Sequence, residues 1–256
     1  MNANTQHSVN ELARVVEPHA VESWPARETL TLQGWLLRFS DGFSSRSNSV
    51  STLAFEGHLD GAIDAVEDAY RRRGLPPLFQ VSPASKPDGL EQALIARGYK
   101  HKPSTMIMVG ETAAVAAPVD DIRVGERADS DFVRLTLEGS HSPDDGRERL
   151  ATLARLTSPK VYVVALDGGE AVSCGASAVT GDWASVYVMR TQLSRRRRGF
   201  GRRVLKGIAG WARSQGAKGL YLQVDESNSA GRALYARAGF RDGYRCLHYF
   251  APESQT

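Results

Sequence analysis

The passage from Trp183 to Gly216, WASVYVMRTQLSRRRRGFGRRVLKGIAGWARSQG, runs from an alternating strand pattern through a turn of arginine and glycine into an amphipathic helix. Val204, Leu205, Ile208 and Ala212 share one face of that helix, and Gly216 marks its end. The turn from Ser194 to Val204 packs six arginines around Gly199 and Gly201, in a chain whose formal net charge is only +3. Amides between a strand and a helix start lack a partner in the helix ladder and sit at the positive end of the helix dipole. Two glycines let the backbone close around a phosphate as a nest of N–H groups. Arginines then add charge-assisted hydrogen bonds. The expected partner is a compact polyanion, most simply a pyrophosphate.

Around this passage the chain divides in two. GETAAVAAPVDD, Gly110 to Asp121, is Ala-rich, broken by Pro118 and without hydrophobic periodicity, as expected of a linker. The expected bounds are a first domain over 1–110, a linker over 111–120 and a second domain over 121–256. In the first half, TLTLQGWLLRFS and FSSRSNSVSTLAF predict two antiparallel strands turning at SDG. HLDGAIDAVEDAYRRRG predicts a helix with Leu59, Ala62, Ile63, Val66 and Tyr70 inward. Strand PLFQV, helix GLEQALIARG and strand STMIMV follow. In the second half, residues 160–191 predict a three-strand meander turning at Gly168-Gly169 and Gly181-Asp182. After the arginine turn and its helix come strand GLYLQV, helix SAGRALYARAG and strand RCLHYF. PLFQV…LEQALIARGYK and LYLQV…GRALYARAGFR align as an internal repeat. Only the second copy carries the arginine-glycine turn; TLAFEGHLDG stands in its place in the first.

Several function classes are excluded. No apolar run reaches the length of a membrane span, and the polar start MNANTQHSVNELARVV lacks the apolar centre of a signal peptide, so a cytoplasmic protein with no membrane partner is expected. Cys174 and Cys246 have no CxxC spacing and the six histidines form no HxxxH pair, so no metal is expected. The turn lacks the Lys-Ser/Thr ending of a Walker loop, and Val204 stands where a dinucleotide fingerprint needs a third glycine. A broad basic surface and a recognised nucleic-acid motif are both missing, so no nucleic-acid partner is expected.

The residues resemble the GNAT superfamily of acetyl-CoA-dependent N-acyltransferases. Arg196, Gly199 and Gly201 match its Arg/Gln-x-x-Gly-x-Gly/Ala signature, and NSAGRALYARAGF is similar to its Asn-x-x-Ala-x-x-Leu-Tyr-x-x-x-Gly-Phe segment, with Asn228, Leu234, Tyr235, Gly239 and Phe240 in place and Gly231 where alanine is usual. The resemblance covers residues 121 to about 254 and is weaker in the first half, where GWLLRFSDGFSSRSNSV resembles a segment of some bacterial two-domain acetyltransferases. It implies an α/β (α+β) fold with a mixed, mainly antiparallel sheet flanked by helices: a GNAT fold in the C-terminal half and a degenerate GNAT-like N-terminal half without the pyrophosphate loop.

The resemblance also implies roles. Acetyl-CoA would be the co-substrate. Arg196, Arg197, Arg198, Gly199, Phe200, Gly201 and Arg202 would hold its pyrophosphate, and the strand end Met189, Arg190 and Thr191 would pair with its pantetheine arm. The Met189 amide would polarise the thioester carbonyl, Asn228 would support the pantetheine, and Tyr235 would protonate the departing thiolate. Asn228 as a helix cap and Tyr235 as a packing residue are the competing structural readings. Where some relatives carry a basic glutamate this chain has Ser185; Asp182, Tyr187, His141 and His248 are the remaining candidates to relay a proton, beside direct attack by neutral amine. Arg38, Arg46, Trp24 and Trp35 are candidates to line an acceptor cleft between the halves, although such aromatics more often form core and arginines surface. The expected acceptor is a primary amine of a small metabolite, with a protein lysine or N-terminus as alternative, and the expected state a monomer or homodimer. A non-catalytic acyl-CoA sensor is the rival from another class.

Overall fold

The first hairpin turns one step earlier than the sequence pattern predicts. In the computed structural model, which describes residues 3–252 with side chains from Ser8 onward, helix α1 (Ala3–Glu22) leads into β1 (Glu28–Leu32) and β2 (Trp35–Phe39). The outermost expected domain residues, 1–2 and 253–256, lie outside the described residues. Gln33 and Gly34 turn the hairpin at φ 47° and 85°. TLTLQGWLLRFS is therefore two strands, where one was expected. SDG lies in the loop after them, tied down by the Asn48 side chain, which accepts from the amides of Ser40 and Gly42. That loop leaves the next strand only β3 (Val50–Ser51).

Helix α2 (Leu59–Arg71) turns Ala62, Ile63, Val66 and Tyr70 inward, as its spacing predicts, and β4 (Leu78–Val81) returns parallel to β3. α3 (Leu90–Ala96), β5 (Lys100–His101) and β6 (Thr105–Glu111) follow. The expected linker holds a single helical turn, α4 (Thr112–Val115), whose Thr112 hydroxyl donates to Ala217 and Lys218 carbonyls. Beyond it come β7 (Ile122–Gly125), α5 (Ser130–Glu138) and α6 (Pro143–Arg155), then the predicted meander β8 (Lys160–Asp167), β9 (Glu170–Thr180) and β10 (Trp183–Thr191). α7 (Phe200–Ser214), β11 (Gly219–Asp225), α8 (Ser229–Arg237) and β12 (Arg241–Phe250) complete the chain. The repeat is visible as geometry: β3–α2–β4–α3 and β10–α7–β11–α8 each place a strand, a helix, a parallel strand and a shorter helix in order.

Two compact units result. One comprises Met1–Met106, Asp225–Ser227 and Gly243–Thr256, the other Ile107–Val224 and Asn228–Asp242. The last strand thus serves the first unit: β12 pairs antiparallel with β4 from Leu247↔Val81 to Phe250↔Leu78, whereas residues 107–111 of β6 belong to the second. In the first unit Trp35, Leu37, Phe39, Val50, Phe79 and Tyr249 pack with α2 and α3 into one core.

In the second unit β6 lies beside β11, and from there the order runs β11-β10-β9-β8-β7, antiparallel from β10 to β7 and parallel between β10 and β11. Its two faces can be read residue by residue, because strand neighbours point oppositely. Val163 and Gly175 face α7: a Cβ on Gly207 would stand 3.1 Å from Val163, and one on Gly175 2.7 Å from Val204. Tyr162 faces α5 instead, packed edge-on against Phe132 at 4.9 Å. The sheet is therefore covered on one face by α7 and on the other by α5, a mixed, mainly antiparallel α/β arrangement.

Candidate functional site

The arginine-glycine turn lies between β10 and α7, and its backbone takes the unusual conformations that its glycines allow. Gly199 caps α7 in the left-handed region at φ 87°, and Arg197 is also left-handed at φ 61°. Alternation of this kind turns successive amides toward one point. Among the described residues no acceptor meets the amides of Arg197 through Arg202; the first helical bond is Arg203 N–H to Gly199 C=O at 3.1 Å. A Cβ on Gly199 would meet nothing within 4 Å, so the space beside Gly199 is open. The corresponding turn of the first unit is closed: the space before Gly57 is filled by the Gln33 side chain, and the Gln33 carbonyl accepts from the Glu56 amide at 2.8 Å.

The six arginines do not act alike. Arg195 and Arg198 both reach back to Asp167, at 2.8 and 3.0 Å, and Arg195 also pairs with Glu170. Arg203 turns to Asp121 and the Leu166 carbonyl. Arg196 makes only a long bond of 3.4 Å to the Thr191 carbonyl, and Arg197 and Arg202 are exposed without an ion pair among the described residues. Arg202 also reaches the rim of a cavity of about 260 Å³ that it shares with Lys206 and Arg237. Phe200 is buried beneath the turn, with the Arg198 and Arg203 guanidiniums over its ring.

The end of β10 is bulged. Its register to β9 passes from Tyr187↔Ala176 to Arg190↔Cys174, so Val188 and Met189 together oppose Gly175, and Val188 takes φ 51°. Its register to β11 ends at Val186↔Leu222, which leaves Met189, Arg190 and Thr191 beyond the last parallel pair. Thr191 lies near Gly201, 3.7 Å from where a Cβ would be, and Leu234 of α8 lies 3.2 Å from the same point. Strand end, turn and α8 therefore meet at Gly201.

Asn228 caps α8, its side-chain oxygen accepting from the Gly231 amide at 2.9 Å. A Cβ at position 231 would stand 2.7 Å from the side-chain nitrogen of Asn228, so an alanine there would need the capping side chain to shift. Tyr235 is half-buried, its ring edge-on to Phe240 at 6.0 Å and within electrostatic reach of Arg190.

The proton-relay candidates are scattered. Ser185 is buried and engaged with both backbone groups of Ala178. The Tyr187 hydroxyl is 3.1 Å from that of Tyr221. Asp182 pairs with Lys218 in a turn. His248 belongs to the first unit, where burial and the Arg38 and Arg46 charges lower its pKa to about 3. His141 is exposed and contributes its backbone amide to Asp145. Trp24 and Trp35 are fully buried; Arg38 is buried on Ser49 and Gln80, and Arg46 covers the Trp24 ring. Both cysteines are buried and free, and burial pushes the Cys174 thiol up to about 12. Among the described residues no cluster of His, Cys, Asp or Glu could hold a metal ion, and no helix is long and apolar enough to cross a membrane.

Sequence patterns did not reveal α6 with its buried Asp145 and Glu148. A signal was present: Ser142-Pro143 with acidic residues following is a helix start, and Ser142 does cap by accepting from the Asp145 amide.

Comparison with known proteins places the chain in a family. Residues 12–249 match the family described as "Probable histone acetyltransferase Rv0428c C-terminal". The chain is 28% identical over 234 residues to the "Uncharacterized N-acetyltransferase YobR" of Bacillus subtilis, covering 89% of this chain and 94% of that one. Its fold is similar to a GCN5-related N-acetyltransferase from Kribbella flavida, with TM-score 0.71, 16% identity and coverage of 95% and 96%. It is also similar to a tandem GNAT protein from the clavulanic acid biosynthesis pathway, with TM-score 0.56, 12% identity and coverage of 77% and 70%. The chain belongs to the Rv0428c acetyltransferase C-terminal family, and is an acyltransferase of the GNAT N-acetyltransferase superfamily.

Proposed function

We propose that the chain transfers the acetyl group of acetyl-CoA to a primary amine of a small metabolite. The row of amides from Arg197 to Arg202, without acceptors and beside open space at Gly199, is the observation that carries this reading. These amides suit a pyrophosphate, with Arg196, Arg197 and Arg202 free to supplement them; Arg198 contributes less, because Asp167 already holds it. Acetyl-CoA supplies an activated acetyl thioester. Met189, Arg190 and Thr191 offer strand-end backbone to its pantetheine arm, and the Asn228 cap fixes the start of α8 beside it.

The Met189 amide stabilises charge on the carbonyl oxygen, an effect worth about 3 kcal/mol in comparable sites. Tyr235 donates its phenolic proton to the departing sulfur, which a phenol of ordinary pKa can do at neutral pH. The buried, hydrogen-bonded Ser185 cannot act as a base, so the amine attacks as its neutral fraction or through water. The first unit, with its turn closed by Gln33, is in this reading a GNAT-like half that does not hold the cofactor; it draws its last strand from residues 243–250, so it is not the continuous stretch 1–110. We place the protein in the cytoplasm as a monomer or homodimer, with no nucleic-acid, membrane or metal partner.

Release of free thiol from acetyl-CoA with a panel of small amines tests the reading. Turnover with a small amine supports it. Turnover only with protein lysines or N-termini transfers the acceptor to that class, and acetyl-CoA binding without turnover makes the chain a sensor.

A further inference from the structure

Arg190 follows Met189 directly on β10, and the two side chains leave the strand on opposite faces. Met189 turns toward Gly175 and α7. Arg190 lies across Gly139 at the end of α5: a Cβ on Gly139 would stand 2.9 Å from its Cγ and 3.1 Å from its Nε. Its guanidinium therefore sits on the α5–α6 face, within electrostatic reach of Tyr235, Arg149 and Asp145.

This guanidinium lacks a counter-ion of its own. Arg190 is half-buried and forms no salt bridge among the described residues. One terminal nitrogen donates to the Met189 carbonyl at 3.1 Å, while Nε is enclosed and has no partner. Asp145, the carboxylate in reach, is already engaged: it accepts from Arg149 Nε at 2.9 Å and from the His141 amide at 3.3 Å. Arg149 is thus a second cation in the same surroundings, and burial together with its charge lowers the Arg190 pKa. Two partly buried guanidiniums share one carboxylate, which leaves positive charge unbalanced at a cost that an entering anion would relieve. Nε is enclosed against Gly139, so the part of this half-buried guanidinium left to meet a ligand is its terminal nitrogens, which can give a carboxylate a charge-assisted hydrogen bond.

We propose that Arg190, supported by Arg149, binds a carboxylate of the acceptor, so that the acceptor class is a small amine carrying a carboxylate, such as an amino acid. The inference rests on the acetyltransferase reading above, and it makes the Arg190 side chain a determinant of acceptor specificity while its backbone stays with the cofactor.

The test compares the intact protein on matched sets at saturating acetyl-CoA: amino acids, their carboxamides and the corresponding decarboxylated amines, followed by thiol release. The expected result is a preference of about 100-fold or more in kcat/KM for the carboxylate member of a set, since a site built for a polar group rejects analogues that lack it. Arg190→Gln should raise the acceptor KM about 30-fold with kcat little changed, and Arg190→Lys should recover part of the loss. Calorimetry with acetyl-CoA on each variant reports whether the fold and the cofactor site persist. Turnover of carboxylate-free amines at equal or better efficiency overturns the acceptor assignment alone, as does acetyl-CoA binding without turnover of any carboxylate-bearing amine. Wild-type protein that does not bind acetyl-CoA overturns the acetyltransferase reading itself.

Discussion

Gly175 and Met189 claim the same space from adjacent strands: a methyl group on Gly175 would stand 2.5 Å from the Met189 sulfur. The bulge that sets Val188 and Met189 opposite one residue of β9 can therefore form only because that residue has no side chain. Gly175→Ala should destabilise the protein by about 1–3 kcal/mol, the usual cost of overpacking, as read by thermal denaturation. If the bulge sets the Met189 amide for the proposed role, kcat should fall by more than the loss of folded protein explains.

Tyr235 gives a second prediction. Phenylalanine keeps the edge-on contact with Phe240 and removes only the hydroxyl. Tyr235→Phe should lower kcat about 100-fold, within the range general acids supply, with acetyl-CoA affinity little changed. Unchanged turnover would reduce Tyr235 to a packing residue.

Asp167 restrains two of the arginines beside the nest, Arg195 and Arg198. Asp167→Asn should free Arg198, while Glu170 keeps its hold on Arg195, and should tighten acetyl-CoA binding about 2–3-fold at low ionic strength. The gain should vanish near 1 M salt, where the screening length falls to about 3 Å. An equal gain at both salt concentrations would mean a structural cause.

His248 predicts a pH effect in the first unit. Burial holds it neutral to about pH 3 in the folded chain, against an ordinary value of 6.5. The unfolded chain therefore binds the extra proton between these values, and stability is lost as pH falls below 6.5. At pH 5 the loss from this group is about 2 kcal/mol. His248→Gln should remove that part of the acid destabilisation, so chemical denaturation at pH 8 and pH 5 should show a smaller difference in the variant than in the wild type.

Much of this was legible in the sequence where a local rule acts alone. The face of α7, the turns at Gly168-Gly169 and Gly181, and the conformation at Gly199 each follow from periodicity or from glycine's freedom. The early hairpin was hidden because its turn uses Gln33 at positive φ, which side chains rarely adopt. Short β3 and the pairing of β12 with β4 depend on contacts far apart in the chain, to which a reading of neighbours is blind. The division of labour among the arginines was also invisible, since Asp167 lies about thirty positions upstream and only the fold brings it to Arg195 and Arg198. Arg190 was assigned by its backbone alone; that its side chain lies on the α5 face without a counter-ion required the coordinates.

The central claim is that the turn at Gly199 receives the pyrophosphate of acetyl-CoA, and calorimetry on the wild type and Gly199→Glu tests it most directly. A side chain at φ 87° costs about 1 kcal/mol or more of backbone strain, so the variant should remain folded while its carboxylate blocks and repels the phosphates. The account predicts micromolar-range binding by the wild type, with a Kd on the order of 1–100 μM, and no detectable binding by the variant. Equal binding by both, or none by the wild type, would contradict it.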